Sequence, residues 1–201
     1  MKKPLALCFL LVCTVSLSFA QIFRGEGETR NGTVSFSIHF VEYTGYKYLF
    51  HINGVSIFLD DDNMVKLETV LEKFAEWEEM AGNENISITK TIDSITFSNF
   101  HYSHTFFKEP LILYFIFTGG PVETVSSPAA SGPFTEESAE NSREITETHY
   151  TLYIDTTLDK ITPFRLDSKT IQEMLFALSP DKLMEAREAY ERQRALGEMF
   201  N

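Results

Sequence analysis

The chain has 201 residues, 43% of them hydrophobic, and its 17 basic and 29 acidic side chains give a formal net charge of −12. That acidity argues against nucleic acid or an anionic membrane surface as partner, because neutralising phosphates takes clustered Lys and Arg. The length and apolar content suffice for one domain with its own core.

Residues 1–20 read as an export signal. Lys2 and Lys3 form a basic start, Leu5 to Leu17 an apolar run, and Ser18-Phe19-Ala20 a small-x-small cleavage site. Cleavage after Ala20 removes both lysines, leaving 15 basic against 29 acidic residues and a net charge of −14. It also removes Cys8 and Cys13, the only cysteines, so the mature chain is expected to lack disulfides, thiolate nucleophiles and Cys-held metals. Val12 stands before Cys13 where a lipidation site needs a small residue, so a lipoprotein is not expected. No later stretch approaches the roughly 20 apolar residues of a membrane span. The expected location is periplasmic or extracellular, and the short Lys-Lys start looks bacterial.

Hairpin signals come first along the mature chain. Asn31-Gly32 precedes a run in which Val34, Phe36, Ile38 and Phe40 alternate with polar residues, the period of a half-buried strand. Asn53-Gly54 then separates Lys47 to Ile52 from Val55 to Leu59, and Asn-Gly suits a two-residue turn because both positions tolerate positive φ. Met64, Leu67, Val70, Leu71, Phe74 and Trp77 recur at helical spacing, which predicts an amphipathic helix ending at Gly82-Asn83. Strands return in "ISITKTIDSITFSNFHYSHTFF" and in the apolar "LILYFIFTGG", the latter with the look of a central strand. Residues 121–145, rich in Pro, Ser and Glu, are expected to form a disordered loop.

After that loop come a strand pair, "THYTLYID" and "ITPFRLD", then a helix with Ile171, Met174, Leu175 and Leu178 on one face. Ser179-Pro180 opens a charged last helix with a thin apolar stripe of Leu183, Ala186 and Tyr190. At an offset of 107 residues Ile57, Leu59, Asp60, Met64, Leu67 and Leu71 match Phe164, Leu166, Asp167, Ile171, Met174 and Leu178. Each half thus reads as hairpin, "LD" junction and amphipathic helix, through either an internal repeat or convergent junction rules. The predicted fold is α+β: a hairpin-rich antiparallel sheet of about seven to nine strands with two or three helices on one face. Residues 21–120 form its first half and 146–201 its second, together one domain.

Chemistry-bearing motifs are sparse. "FLDDDNMVKLE" sets Asp60, Asp61 and Asp62 at a helix start, a candidate weak Ca²⁺ site. The spacing fails an EF-hand, since Met64 and Val65 stand where an oxygen ligand and glycine belong, and helix capping explains the acids better. His101 and His104, three apart on a strand, face opposite ways and poorly suit one metal. No G-x-S-x-G, H-E-x-x-H, G-x-G-x-x-G or P-loop pattern occurs, so no cofactor is expected. Strands dense in Phe and Tyr make Phe97, Phe100 and Tyr102 candidates for an apolar binding surface.

Three functions are compatible with these features. The favoured one is a non-catalytic envelope protein binding an unidentified protein partner or apolar ligand. The alternatives are a hydrolase using His39 or His51 with a carboxylate, and a Ca²⁺-dependent surface protein using the Asp60 cluster.

Overall fold

The structure, a computed structural model, describes residues 19–98, 100–102, 105–124 and 144–199. Most of the export signal, His104 and the stretch 125–143 of the expected loop lie outside the described residues.

Among the described residues, ten strands form one antiparallel sheet: β1 (Ala20–Thr29), β2 (Gly32–Tyr43), β3 (Tyr46–Ile52), β4 (Val55–Leu59), β5 (Ile88–Phe97), β6 (Phe100–Tyr102), β7 (Thr105–Phe107), β8 (Leu111–Thr124), β9 (Glu144–Thr156) and β10 (Phe164–Asp167). Three helices among the described residues join them: α1 (Asp61–Glu84), α2 (Ser168–Ala177) and α3 (Pro180–Met199). The class is the expected α+β, with more strands than predicted, because three-residue β6 and β7 form a separate hairpin after β5. Strands β8 and β9 also reach into the stretch assigned to the loop, as far as Thr124 and from Glu144. Their register runs to the pair Thr124↔Glu144.

Spatial order is β5-β8-β9-β10-β1-β2-β3-β4-β6-β7. Consecutive strands β5 and β6 therefore stand near opposite ends of the sheet, yet only two residues separate Phe97 from Phe100. Three peptide units reach roughly 11 Å at most, so the sheet must curl until its ends approach, giving a half-barrel. Within this order each half is a four-strand meander followed by a helix: β1-β2-β3-β4-α1, and β5-β8-β9-β10-α2 with the β6–β7 hairpin inserted.

The inward side chains form one core. Alternate residues Val34, Phe36, Ile38 and Phe40 of β2 are buried, as are Phe50 and Ile52 of β3 and Val55, Ile57 and Leu59 of β4. Helix α1 packs against β3, β4, β5, β8 and β9, burying Met64, Leu67, Val70, Leu71 and Phe74. Phe74 and Trp77 set their rings 5.3 and 5.9 Å from Phe117. Helix α2 covers β1, β9 and β10 through Ile171 and Met174, and α3 covers β1 and β2 through Ala186 and Tyr190.

The two helix starts are built alike. Asp60 is the N-cap of α1 and accepts from the Asn63 amide at 2.8 Å; Asp167 is the N-cap of α2 and accepts from the Thr170 amide at 2.8 Å. Each satisfies a helix donor that has no partner within the helix. At the other end α1 runs past Gly82-Asn83, because Asn85 supplies the left-handed residue (φ 50°) that closes it. The buried Tyr150 hydroxyl lies 2.9 Å from the Ala81 carbonyl and 2.8 Å from that of Ile86, tying β9 to this helix end. A second tie, from Ser168 Oγ to Glu78 Oε2 at 2.6 Å, joins α2 to α1.

Turn chemistry follows the sequence with one shift. Asn53 (φ 43°) and Gly54 (φ 79°) form the two-residue β3–β4 turn closed by the pair Ile52↔Val55. The β1–β2 turn instead uses Arg30 and Asn31, while Gly32 (φ 131°) pairs with Thr29. The Thr29 hydroxyl accounts for the shift, donating to the Gly32 carbonyl and accepting from the Asn31 amide.

Candidate functional site

Strand parity decides which predicted site residues reach solvent. Strand β6 pairs with β4 as Val55↔Tyr102, Ser56↔His101 and Ile57↔Phe100. Ile57 faces the core, so Phe100 does too, with 2% exposure, and Phe97 at the end of β5 is 4% exposed. Both are core residues, which removes them from any surface; Tyr102 is half-buried with Lys160 over its ring. A strand's side chains alternate faces, so His101 and its β7 neighbour Phe106 point the other way.

On that outer face the rings gather. Tyr43 stacks on Phe58 at 5.2 Å and 30°, and Tyr46 meets the same ring at 6.0 Å and 47°. His101 stands edge-on to Phe58 at 5.8 Å and 70°, and Phe106 tilts against His101 at 5.1 Å. The inclined rings line a cavity of about 330 Å³, with Tyr43 46% and Phe106 47% exposed. The β2–β3 hairpin, β4 and the β6–β7 hairpin each contribute to it. The dense aromatic runs pointed to this region, but the residues on its surface depend on the β4–β6 pairing, which no local pattern reveals.

A second cavity, about 590 Å³, lies where β1, β9 and β10 meet. Its lining includes Glu28, Arg30, Asn31, Tyr153, Thr162 and Arg165. Phe58 and Arg165 occupy corresponding places, each two residues before its capping aspartate. Across from them, His101 follows the pair Ile57↔Phe100, and Arg30 follows the pair Phe164↔Thr29. A third cavity, about 390 Å³, separates α3 from β2 and β3, between Phe40, Tyr48, Leu183, Met184 and Arg187. Burial, then nearby Asp61, pushes the Tyr48 hydroxyl above its usual pKa.

The three acids of "FLDDDN" take separate positions. Asp60 caps α1, Asp61 hydrogen-bonds and ion-pairs with Lys47, and Asp62 sits in the first helical turn, where the dipole favours negative charge. The Asp61 hydrogen bond, reinforced by its charge, holds the Lys47 ammonium above its ordinary pKa. Among the described residues no three His, Cys, Asp or Glu side chains are placed to hold a metal ion together.

The outer-face histidines bond serines. His39 Nε2 lies 2.8 Å from Ser37 Oγ, and His51 Nδ1 lies 2.9 Å from Ser56 Oγ. Among the described residues no histidine hydrogen-bonds or ion-pairs with a carboxylate, so neither contact has an acid to orient its imidazole. Burial, then the neighbouring His51, lowers the His39 pKa.

Among the described residues no helix is long and apolar enough to cross a membrane. No protein-family model, curated protein or solved structure matches this chain, so the chemistry of its sites rests on their own geometry.

Proposed function

We propose that this protein is an exported, non-catalytic binding protein of the cell envelope, and that its partner is a protein that inserts an apolar or aromatic side chain between the outer-face rings. The supporting observation is the cavity walled by Tyr43, Tyr46, Phe58, His101 and Phe106, of which Tyr43 and Phe106 are exposed and the others half-buried, all on the face away from the core. Large exposed aromatics that cluster mark interaction surfaces more often than scattered ones do. Tyr and Phe are also the side chains that most often anchor interfaces, since they bring wide contact area with few rotors.

The test is capture from the organism's own envelope by the purified protein and by Phe106→Ser. Phe106 lies on the short β7 edge strand, so the variant should melt with the parent. The reading expects a defined partner that the parent retains and Phe106→Ser releases. Equal retention by both proteins would reject it.

The two imidazole–hydroxyl contacts favour one other reading, a hydrolase acting through Ser37 or Ser56. A fluorophosphonate probe should then label the protein, and Ser37→Ala or Ser56→Ala should abolish the label. An unlabelled parent protein discards that reading.

A further inference from the structure

The cavity at β1, β9 and β10 has a different chemistry from the aromatic one. Strand β1 has ten residues and β10 four, but they share only the pairs Glu28↔Arg165 and Thr29↔Phe164. The cavity occupies the outer side of this paired end, under the Arg30-Asn31 turn and beside Thr162 and Pro163. Two guanidiniums border it. Arg165 lies over the Tyr153 ring at 5.6 Å, and Arg30 stands on the turn.

Among the described residues neither arginine donates a hydrogen bond to the protein or pairs with a carboxylate. Arg187 pairs with Glu191, and Arg194 with Glu198 and Glu42, while Arg24 and Arg192 are, among the described residues, also without an acid partner; what distinguishes Arg30 and Arg165 is that both border one cavity. Unpaired guanidinium forks around one cavity are the arrangement that receives a carboxylate or another oxyanion.

The remaining lining narrows the ligand. Glu28 sets one negative charge against the two positive ones, so the wall suits a single negative charge and opposes a dianion. Glu28 also offers acceptor oxygens, while Asn31 and Thr162 add neutral donors and acceptors. Acceptors beside an oxyanion site call for a ligand that carries hydroxyl donors next to its carboxylate.

We propose that this cavity binds a monoanionic carboxylate on a hydroxylated ring, the chemistry of a uronic acid, with Arg30 and Arg165 on the carboxylate and Glu28 on ring hydroxyls. The site is separate from the aromatic cavity and does not depend on that reading.

Calorimetric titration of the purified protein with D-glucuronate, D-glucose and inorganic phosphate tests it. Glucuronate should bind saturably and more weakly as salt rises; glucose, lacking the charge, should not bind detectably, and phosphate should bind more weakly than glucuronate. Arg30→Gln, on an exposed turn, should weaken glucuronate about tenfold, the usual loss when one charge-assisted contact is removed. Arg165→Gln should do the same, with its melting curve checked because Arg165 lies within β10. Absence of saturable glucuronate binding, phosphate binding as tight as glucuronate, or an unchanged affinity in Arg30→Gln would each overturn the assignment.

Discussion

The cavities at β4–β6 and at β1–β10 occupy corresponding places in two halves built alike, yet one is walled by rings and the other by guanidiniums. Phe58 and Arg165 both stand two residues before a capping aspartate, and His101 and Arg30 both follow the last inward pair of the neighbouring strand. What the halves share points inward or caps a helix: Ile57 with Phe164, Leu59 with Leu166, Asp60 with Asp167, Leu67 with Met174. What differs points outward. Inward positions answer to close packing, where even one methylene is felt, so two halves with one geometry keep similar residues there. Outward positions carry no such constraint, and binding chemistry can diverge on an unchanged frame.

The strongest way to break that comparison is through the helices. Leu67 and Met174 hold matched buried places in α1 and α2, so Leu67→Ala and Met174→Ala should destabilise the protein by similar amounts, about 2–5 kcal/mol each. Phe74 has no counterpart, because α2 stops at Ala177 while α1 continues to Glu84. It is fully buried against Phe117, and Phe74→Ala should be the costliest of the three, about 3–5 kcal/mol by urea unfolding. A Leu67→Ala cost several times that of Met174→Ala would show that the second helix, though placed alike, does not share the core equally.

The caps give a smaller and cleaner comparison. Asp60→Ala and Asp167→Ala each remove one 2.8 Å hydrogen bond to a helix amide, and each should cost about 0.5–2 kcal/mol. The hydrogen bond from Thr170 holds the Asp167 carboxyl below the usual carboxylate range. Its contribution is therefore present above the unfolded value near 3.8 and is lost as pH falls through the lowered folded value. The difference in melting temperature between the parent and Asp167→Ala should be constant from pH 5 to 8 and shrink below pH 4. A difference that persists at pH 2 would mean that the carboxylate's hydrogen bond is not what stabilises this junction.

How much of this was legible in the sequence follows the same inward–outward division. Local periodicity located β2, β3, β4 and all three helices, because burial of one face imposes its period on the chain. The offset of 107 exposed the shared junctions for the same reason. The outer face was not legible, since aromatic composition singles out Phe97, Phe100 and Tyr102, while pairing with β4 turns Phe100 inward and His101 outward. The second cavity left no local trace at all. Arg30 lies 135 positions before Arg165, and they border one cavity only because β10 returns to pair with β1. The Asp triplet, a capping cluster or weak Ca²⁺ site by sequence, resolves into a cap, a partner for Lys47 and a charge on the helix dipole.

The smallest expected effect belongs to His39, where the outer face is least like surface. Its Nε2 meets Ser37 Oγ, while Nδ1 is buried without a partner. A neutral ring with its proton on Nε2 leaves only a lone pair at Nδ1, whereas the cation would place an N–H there with nothing to accept it. Burial and His51 accordingly lower its pKa below 6.5. For a base with a lowered folded pKa, the unfolded chain binds more protons once pH drops below 6.5, so stability is full above that value and falls as pH descends toward the folded one. The ring is partly solvated, which keeps the effect to a fraction of a kcal/mol, on the order of 1 °C in Tm. Between pH 8 and pH 5 the parent should lose about that much more than His39→Gln. Parallel pH profiles for the two proteins would place the titration that matters elsewhere on this face.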